Sequence, residues 1–212
     1  MLQSFSSGMF VFQLLAFLVA IIFHELAHGY VAYRLGDPTA KNQGRLTLNP
    51  ISHIDPIGLL LILFGPFGWA KPVPINPQHF KNKRVGIALV SVAGPLANFL
   101  IAILAGLLLK LYLPVYEWNS SPVYAFVFNL LTYMLWMNVM LCVFNLIPIP
   151  PLDGSKILFS FVPRQYLKQM YVLEQYGPFL LLLVLITPLN HFLYPLISGG
   201  TQLVQSIVGL KI

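Results

Sequence analysis

Apolar residues in this chain fall into long runs rather than into the 3.6- or 2-residue periods of half-buried soluble elements. The first run is Gly8 to Tyr33, the second Val85 to Leu109, the third Val123 to Ile147 and the fourth approximately Tyr176 to Ile197. Each is long enough for a helix to cross a bilayer core, which takes about 20 residues rising 1.5 Å apiece. Pro178, Pro188 and Pro195 weaken the fourth run, although membrane helices tolerate such breaks where neighbours satisfy the freed backbone groups. Between the first two runs the pattern changes. A short alternating piece, Arg45-Leu46-Thr47-Leu48, precedes an apolar stretch from Ile57 to Trp69 and an extended piece, Ala70-Lys71-Pro72-Val73-Pro74-Ile75. The apolar stretch, about a dozen residues, is short for a span and suits a re-entrant segment. The pattern therefore predicts an all-α polytopic membrane protein with about four transmembrane helices, plus a re-entrant segment with short β-strands between the first two spans.

Composition sharpens the class. Twelve Lys/Arg and six Asp/Glu make the chain 8% charged, against roughly 25% in a soluble domain, which excludes an ordinary cytosolic globule. No loop is long enough to build its own core and no repeat is present, so residues 1–212 read as a single integral membrane domain. The one cysteine, Cys142, lies in an apolar run and rules out an intrachain disulfide or a cysteine zinc cluster. No basic n-region precedes the first run, so a cleaved signal peptide is not expected. The net charge of +6 has no basic cluster behind it, so it fits membrane orientation rather than nucleic acid.

The basic residues discriminate between topologies. If Ile57 to Trp69 crossed the bilayer, Lys71, Lys81, Lys83, Arg84, Lys156, Arg164 and Lys168 would face Arg34, Lys41, Arg45, Lys110 and Lys211 across it, hardly a bias. If the segment dips and returns, ten of the twelve share one face and only Lys110 and Lys211 lie on the other. The positive-inside rule selects the second arrangement, with both termini outside and the long loops cytoplasmic. Lys156, Arg164 and Lys168 would then form an interfacial helix touching anionic lipid.

Within the first run stands His24-Glu25-Leu26-Ala27-His28. On a helix, residues four apart share a face, so both imidazoles can reach one metal, and Glu25 lies beside them to take a proton from water. Counted back from Arg34, His24 lies about 15 Å into the span, a depth at which ionisable groups are costly and by default functional. A tetrahedral catalytic zinc wants a third protein ligand and one open position. The remaining acidic and histidine residues are Asp37, Asp55, Asp153, Glu117, Glu174, His53, His79 and His191. Asp153 has the best context, because Pro148, Pro150 and Pro151 cannot continue the third helix and the chain must open just before it.

Three stretches carry a resemblance: His24-Glu25-Leu26-Ala27-His28-Gly29 in the first span, Gly94-Pro95-Leu96-Ala97-Asn98 in the second, and Asn145-x-x-Pro148-x-Pro150-Pro151-Leu152-Asp153-Gly154 after the third. Together they resemble the site-2 protease family of intramembrane zinc metalloproteases. Gly44-Arg45-Leu46-Thr47-Leu48-Asn49-Pro50 and Gly68-Trp69-Ala70-Lys71-Pro72-Val73-Pro74 resemble its small prokaryotic branch, without the PDZ or CBS domains of other members. The likeness covers about residues 10 to 165 and leaves the fourth run, about 176 to 197, outside the shared core. It implies one zinc ion per chain held by His24, His28 and Asp153, Glu25 as general base, and Asn98 at the substrate carbonyl or oxyanion. It implies a transmembrane protein as substrate, cleaved within or near its span. The site would lie nearer the cytoplasmic face of a cell membrane, in a prokaryote the inner one. Two other classes compete. A diiron membrane oxidase would need more clustered histidines than the five here supply. A transporter or scaffold could use His24, Glu25 and Asp153 as a proton or ion relay.

Overall fold

The computed structural model describes residues 7–58, 70–118, 121–187 and 191–210. Its principal helices are α1 (Ser7–Arg34), α2 (Lys83–Trp118), α3 (Pro122–Asn145), α4 (Asp153–Phe161), α5 (Leu167–Ile186) and α6 (Leu193–Val208). Among the described residues, four helical stretches are long and apolar enough to cross a membrane: Met9–Arg34, Lys83–Trp118, Pro122–Asn145 and Lys168–Ile186. In hydrocarbon every backbone N–H and C=O must find its partner within the segment, and a helix does this without help from sequence detail.

The short β-strands do not form. Among the described residues there is no strand; an isolated antiparallel bridge pairs Ile54 with Ala70, and the two extended pieces meet through the Arg45 side chain on the Lys71 carbonyl. The reason is where their hydrogen bonds go. Pro72 and Pro74 have no N–H to give a ladder. The Val73 N–H is taken by the Glu25 carboxylate and the Asn76 N–H by that of Asp37, while Arg45 occupies the Lys71 carbonyl. Side chains have used the groups a neighbouring strand would need. The expected re-entrant segment, Ile57 to Trp69, lies outside the described residues apart from Ile57 and Gly58.

The fourth span is also displaced from its expected position. Helix α5 begins at Leu167, carries Pro178 within it and ends at Ile186, and a separate helix, α6, starts at Leu193. Of the three basic residues expected on one interfacial helix, Lys156 lies on α4 and Lys168 on α5, with Arg164 in the 3-10 turn between them.

The chain forms two compact units. One comprises residues 1–20, 98–145 and 182–212. Its core is Ala102, Ala105 and Leu109 of α2, Leu135 and Val139 of α3, and Val204 and Val208 of α6. Small residues on α2 let the other two helices approach closely, the usual device where lipid removes the hydrophobic drive between helices. Lys110 reaches 2.8 Å to the Val208 carbonyl and satisfies one of the last backbone acceptors of α6. The other unit comprises residues 21–97 and 146–181. It packs Ala32, Phe80 and Val90 together, with Val31, Leu35 and Ile87 around them, and it contains His24, Glu25, His28 and Asp153.

Candidate metal centre

His24 and His28 stand one helical turn apart on α1 with ring centroids 4.5 Å apart and planes nearly perpendicular. Asp153, the first residue of α4, meets both. Its Oδ2 lies 3.1 Å from His24 Nε2 and 3.0 Å from His28 Nε2, and the two Nε2 atoms are 3.0 Å apart. All three residues are buried. Lys156 approaches Asp153 Oδ1 at 3.3 Å, one turn further along α4.

Asp153 reaches this place because the chain after α3 cannot stay helical. Pro148, Pro150 and Pro151 interrupt it, and the loop turns back tightly enough that a Cβ on Gly154 would lie 2.2 Å from the Leu146 carbonyl oxygen. Only a glycine after Asp153 permits that close approach. A second glycine is demanded on α2. A Cβ at Gly94 would lie 2.4 Å from His28 Nε2 and 2.7 Å from His24 Cε1, so the missing side chain is what lets α2 lie directly against the histidine pair.

The donor set fits zinc. His28 Nδ1 is 2.7 Å from the Val90 carbonyl, an acceptor, so Nδ1 carries the hydrogen and Nε2 presents its lone pair. That lone pair faces a carboxylate oxygen and a second imidazole nitrogen, so three possible ligand atoms converge on one point. Ligands about 2.0–2.1 Å from a tetrahedral zinc stand roughly 3.3 Å apart, close to the triangle here, and a histidine ligand whose other nitrogen donates to a backbone carbonyl is the usual outer support. Two imidazoles and one carboxylate leave a fourth position, as catalytic zinc requires.

Glu25 lies on the same turn of α1, partly exposed, and its Oε2 accepts the Val73 N–H at 2.8 Å. Asn98 lies on α2 and is fully buried. Its Nδ2 donates to the Ala20 carbonyl and to Asn138 Oδ1, both at 2.9 Å. Other candidates for a third ligand are employed elsewhere. Asp37 accepts from Thr39, Asn76 and His79, Asp55 accepts the N–H groups of Ile57 and Gly58, and His53 lies 2.8 Å from the Thr47 carbonyl. Glu117, Glu174 and His191 are exposed. Sequence reasoning did not find what Gly94, Val73 or Asp37 does. The available signals were a glycine one residue before a proline within a span, and a Pro-Val-Pro that leaves a single N–H.

A buried triad that could hold a metal ion, with a glutamate beside it and on helices of this length, is the equipment a multi-pass membrane protein of the zinc metalloprotease class would need. Residues 114–185 match Peptidase family M50. Over 193 residues the chain is 42% identical to "Putative zinc metalloprotease YwhC" of Bacillus subtilis (strain 168), covering 89% of this chain and 87% of that protein. Over 196 residues it is 30% identical to "Putative zinc metalloprotease Rip2" of Mycolicibacterium smegmatis, covering 90% and 73%. It is 27% identical over 170 residues to "Zinc metalloprotease MJ0392" of Methanocaldococcus jannaschii, covering 79% of this chain and 40% of that one. No solved structure matches it. The chain belongs to the peptidase M50 family, that of the site-2 proteases.

Proposed function

We propose that the protein is an intramembrane endopeptidase that hydrolyses a peptide bond within or near a transmembrane segment of another membrane protein. The observation that carries this reading is the triangle of His24 Nε2, His28 Nε2 and Asp153 Oδ2, with edges of 3.0 to 3.1 Å, one residue from Glu25 on a membrane-length helix. Zinc held by these three residues would supply a Lewis acid that acidifies water and polarises the scissile carbonyl.

The remaining work falls to the chain's own groups. Glu25 is anchored at Oε2 by the Val73 N–H, which leaves Oε1 to accept a proton from water and return it to the leaving amine. The Val90 carbonyl fixes the ring of His28 and its tautomer. A substrate helix must open locally before cleavage, because its peptide groups are otherwise paired and shielded. A role for Asn98 at the oxyanion requires it to release the Ala20 carbonyl or Asn138, since both of its amide hydrogens are engaged. The charge bias supports a site nearer the cytoplasmic face, with anionic lipid against the basic side.

The test is direct. The detergent-purified protein should contain one zinc per chain and should cleave a model single-span substrate. Glu25→Gln should retain the zinc and lose cleavage. A chelator should abolish activity and added zinc restore it. Cleavage that survives in Glu25→Gln, or in metal-free protein, would refute the mechanism, whereas wild-type protein that cleaves nothing and binds no zinc would favour an ion-relay role.

A further inference from the structure

Glu25 is a long, flexible carboxylate at a partly exposed position, yet its Oε2 is fixed by one backbone N–H, that of Val73. Val73 is the middle of Pro72-Val73-Pro74, so it owns the one N–H of that tripeptide. Its side chain is buried, 6% exposed. Among the described residues no strand lies beside the segment from Ala70 to Asn76, which is held as a strap between two anchors. At the first, the Lys71 N–H donates to the His53 carbonyl at 2.9 Å, and the Lys71 carbonyl accepts from Arg45 Nη2 at 2.7 Å. At the second, the Asn76 N–H donates to Asp37 Oδ2 at 2.6 Å.

Both anchors are charged side chains that folding has buried, Arg45 to 8% exposure and Asp37 to none. In a chain with so few charges that placement is costly, and it is offset by hydrogen bonds to main-chain groups. Each anchor is itself tied to the end of α1 or to the turn beyond it. The Asp37 N–H donates to the Ala32 carbonyl in the last turns of that helix, Asp37 Oδ1 accepts the Thr39 N–H, and the Arg45 N–H donates to the Ala40 carbonyl. The part of α1 that belongs to the same unit as the strap (21–34) and the eleven residues after it (35–45) therefore carry Glu25 and both grips on the strap.

We propose that Asp37 and Arg45 are positioning residues for Glu25: by holding the two ends of the strap they keep the Val73 N–H on one carboxylate oxygen and aim the other at the reacting water. The inference rests on Glu25 acting as the base, and it adds residues that touch neither metal nor substrate. Orienting a base through a third group is the general logic of activated catalytic sets, and a misplacement of about 1 Å can cost about 100-fold.

The experiment uses the full-length, zinc-loaded protein in detergent and reads both amide exchange and cleavage of a model single-span substrate. In wild type the Val73 amide should exchange slowly, and Glu25→Ala, Asp37→Ala and Arg45→Ala should each speed it at least about tenfold. Asp37→Ala and Arg45→Ala should keep zinc, lower kcat about 10- to 100-fold and leave KM within about twofold, with Arg45→Lys recovering part of the loss. A merely structural loosening would instead lower zinc occupancy and raise KM. Should either anchor variant fail to insert, Val73→Pro deletes the donor and must show the same loss of kcat, while Val73→Ala, which trims the buried side chain but keeps the N–H, must not. Val73 exchange unaffected by Glu25→Ala, or wild-type kcat in zinc-loaded Val73→Pro, overturns the proposal. Full activity in Glu25→Gln overturns instead the reading of Glu25 as base, and exchange alone then judges the strap.

Discussion

Gly94→Ala sets two physical effects against each other and so tests the reading of the centre. Alanine is the better helix former by about 1 kcal/mol, and on propensity alone the change should stabilise α2. The site says otherwise. The new Cβ would lie 2.4 Å from His28 Nε2, 2.6 Å from His28 Cε1 and 2.7 Å from His24 Cε1. Relief to even the tightest tolerated contact of 3.0 Å requires a movement of about 0.6 Å, roughly three times the ±0.2 Å within which ligand distances are held at a metal site. The atom that must yield first is a proposed ligand, and moving it also strains its partner nitrogen's 2.7 Å bond to the Val90 carbonyl on α2 itself. Overpacking of this kind costs about 1–3 kcal/mol, enough to cancel the propensity gain. Zinc affinity should fall at least about tenfold, equivalent to about 1.4 kcal/mol, with helicity unchanged. Competition against a chelator of known affinity measures it, with circular dichroism as the check on folding. Zinc binding as tight as wild type in a helical Gly94→Ala protein would refute both the close approach and the ligand assignment.

The same contacts have other consequences. Asp153→Asn keeps the shape and removes the charge, and bound zinc should fall by about tenfold or more in metal analysis while the protein still inserts. Asn98→Ala should lose about 1–3 kcal/mol of stability in denaturant titration, because the Ala20 carbonyl and Asn138 lose a buried donor; a fall in kcat with no loss of stability would instead assign Asn98 to the oxyanion. Asp37 gives a pH dependence. Burial alone would raise its pKa, but hydrogen bonds from Thr39, the Asn76 N–H and His79 outweigh it and hold the carboxyl below its ordinary value. A depressed folded-state pKa contributes stability that is present above the unfolded value, about 3.9, and is lost as pH falls through the folded one. The part of the stability advantage of wild type over Asp37→Asn that comes from this carboxylate should thus shrink as pH falls below about 4; an advantage that persists unchanged in stronger acid contradicts it.

The helices were legible because lipid leaves an apolar run little choice of backbone. Their exact register was not. Hydropathy marks which residues can sit in hydrocarbon, but α5 begins at Leu167, before the polar Gln169, Glu174 and Gln175, and tolerates Pro178. The strands were misread for a different reason. Alternation in Arg45-Leu46-Thr47-Leu48 and the extended bias of Pro72-Val73-Pro74 describe backbone conformation, whereas a strand also needs a neighbour with free N–H and C=O groups. Glu25, Asp37 and Arg45 had claimed those groups from elsewhere in the fold, and no local pattern announces that.

The site divides along the same line between local and distant information. His24 and His28 were legible because a separation of four is a statement about one helix face. Asp153 is 125 residues from His28, and what pointed to it was indirect: prolines forcing the chain open, in a protein with six acidic residues in all. Scarcity extends that reasoning beyond the metal ligands. A buried charge in an apolar chain must be held by something, and here Asp37, Arg45 and Asp153, the buried charged side chains among the described residues, are each held by groups that converge on α1 or on the strap over Glu25. Where a membrane protein places its few charges inside rather than at its interfaces, their partners trace the part of the fold whose geometry matters for chemistry.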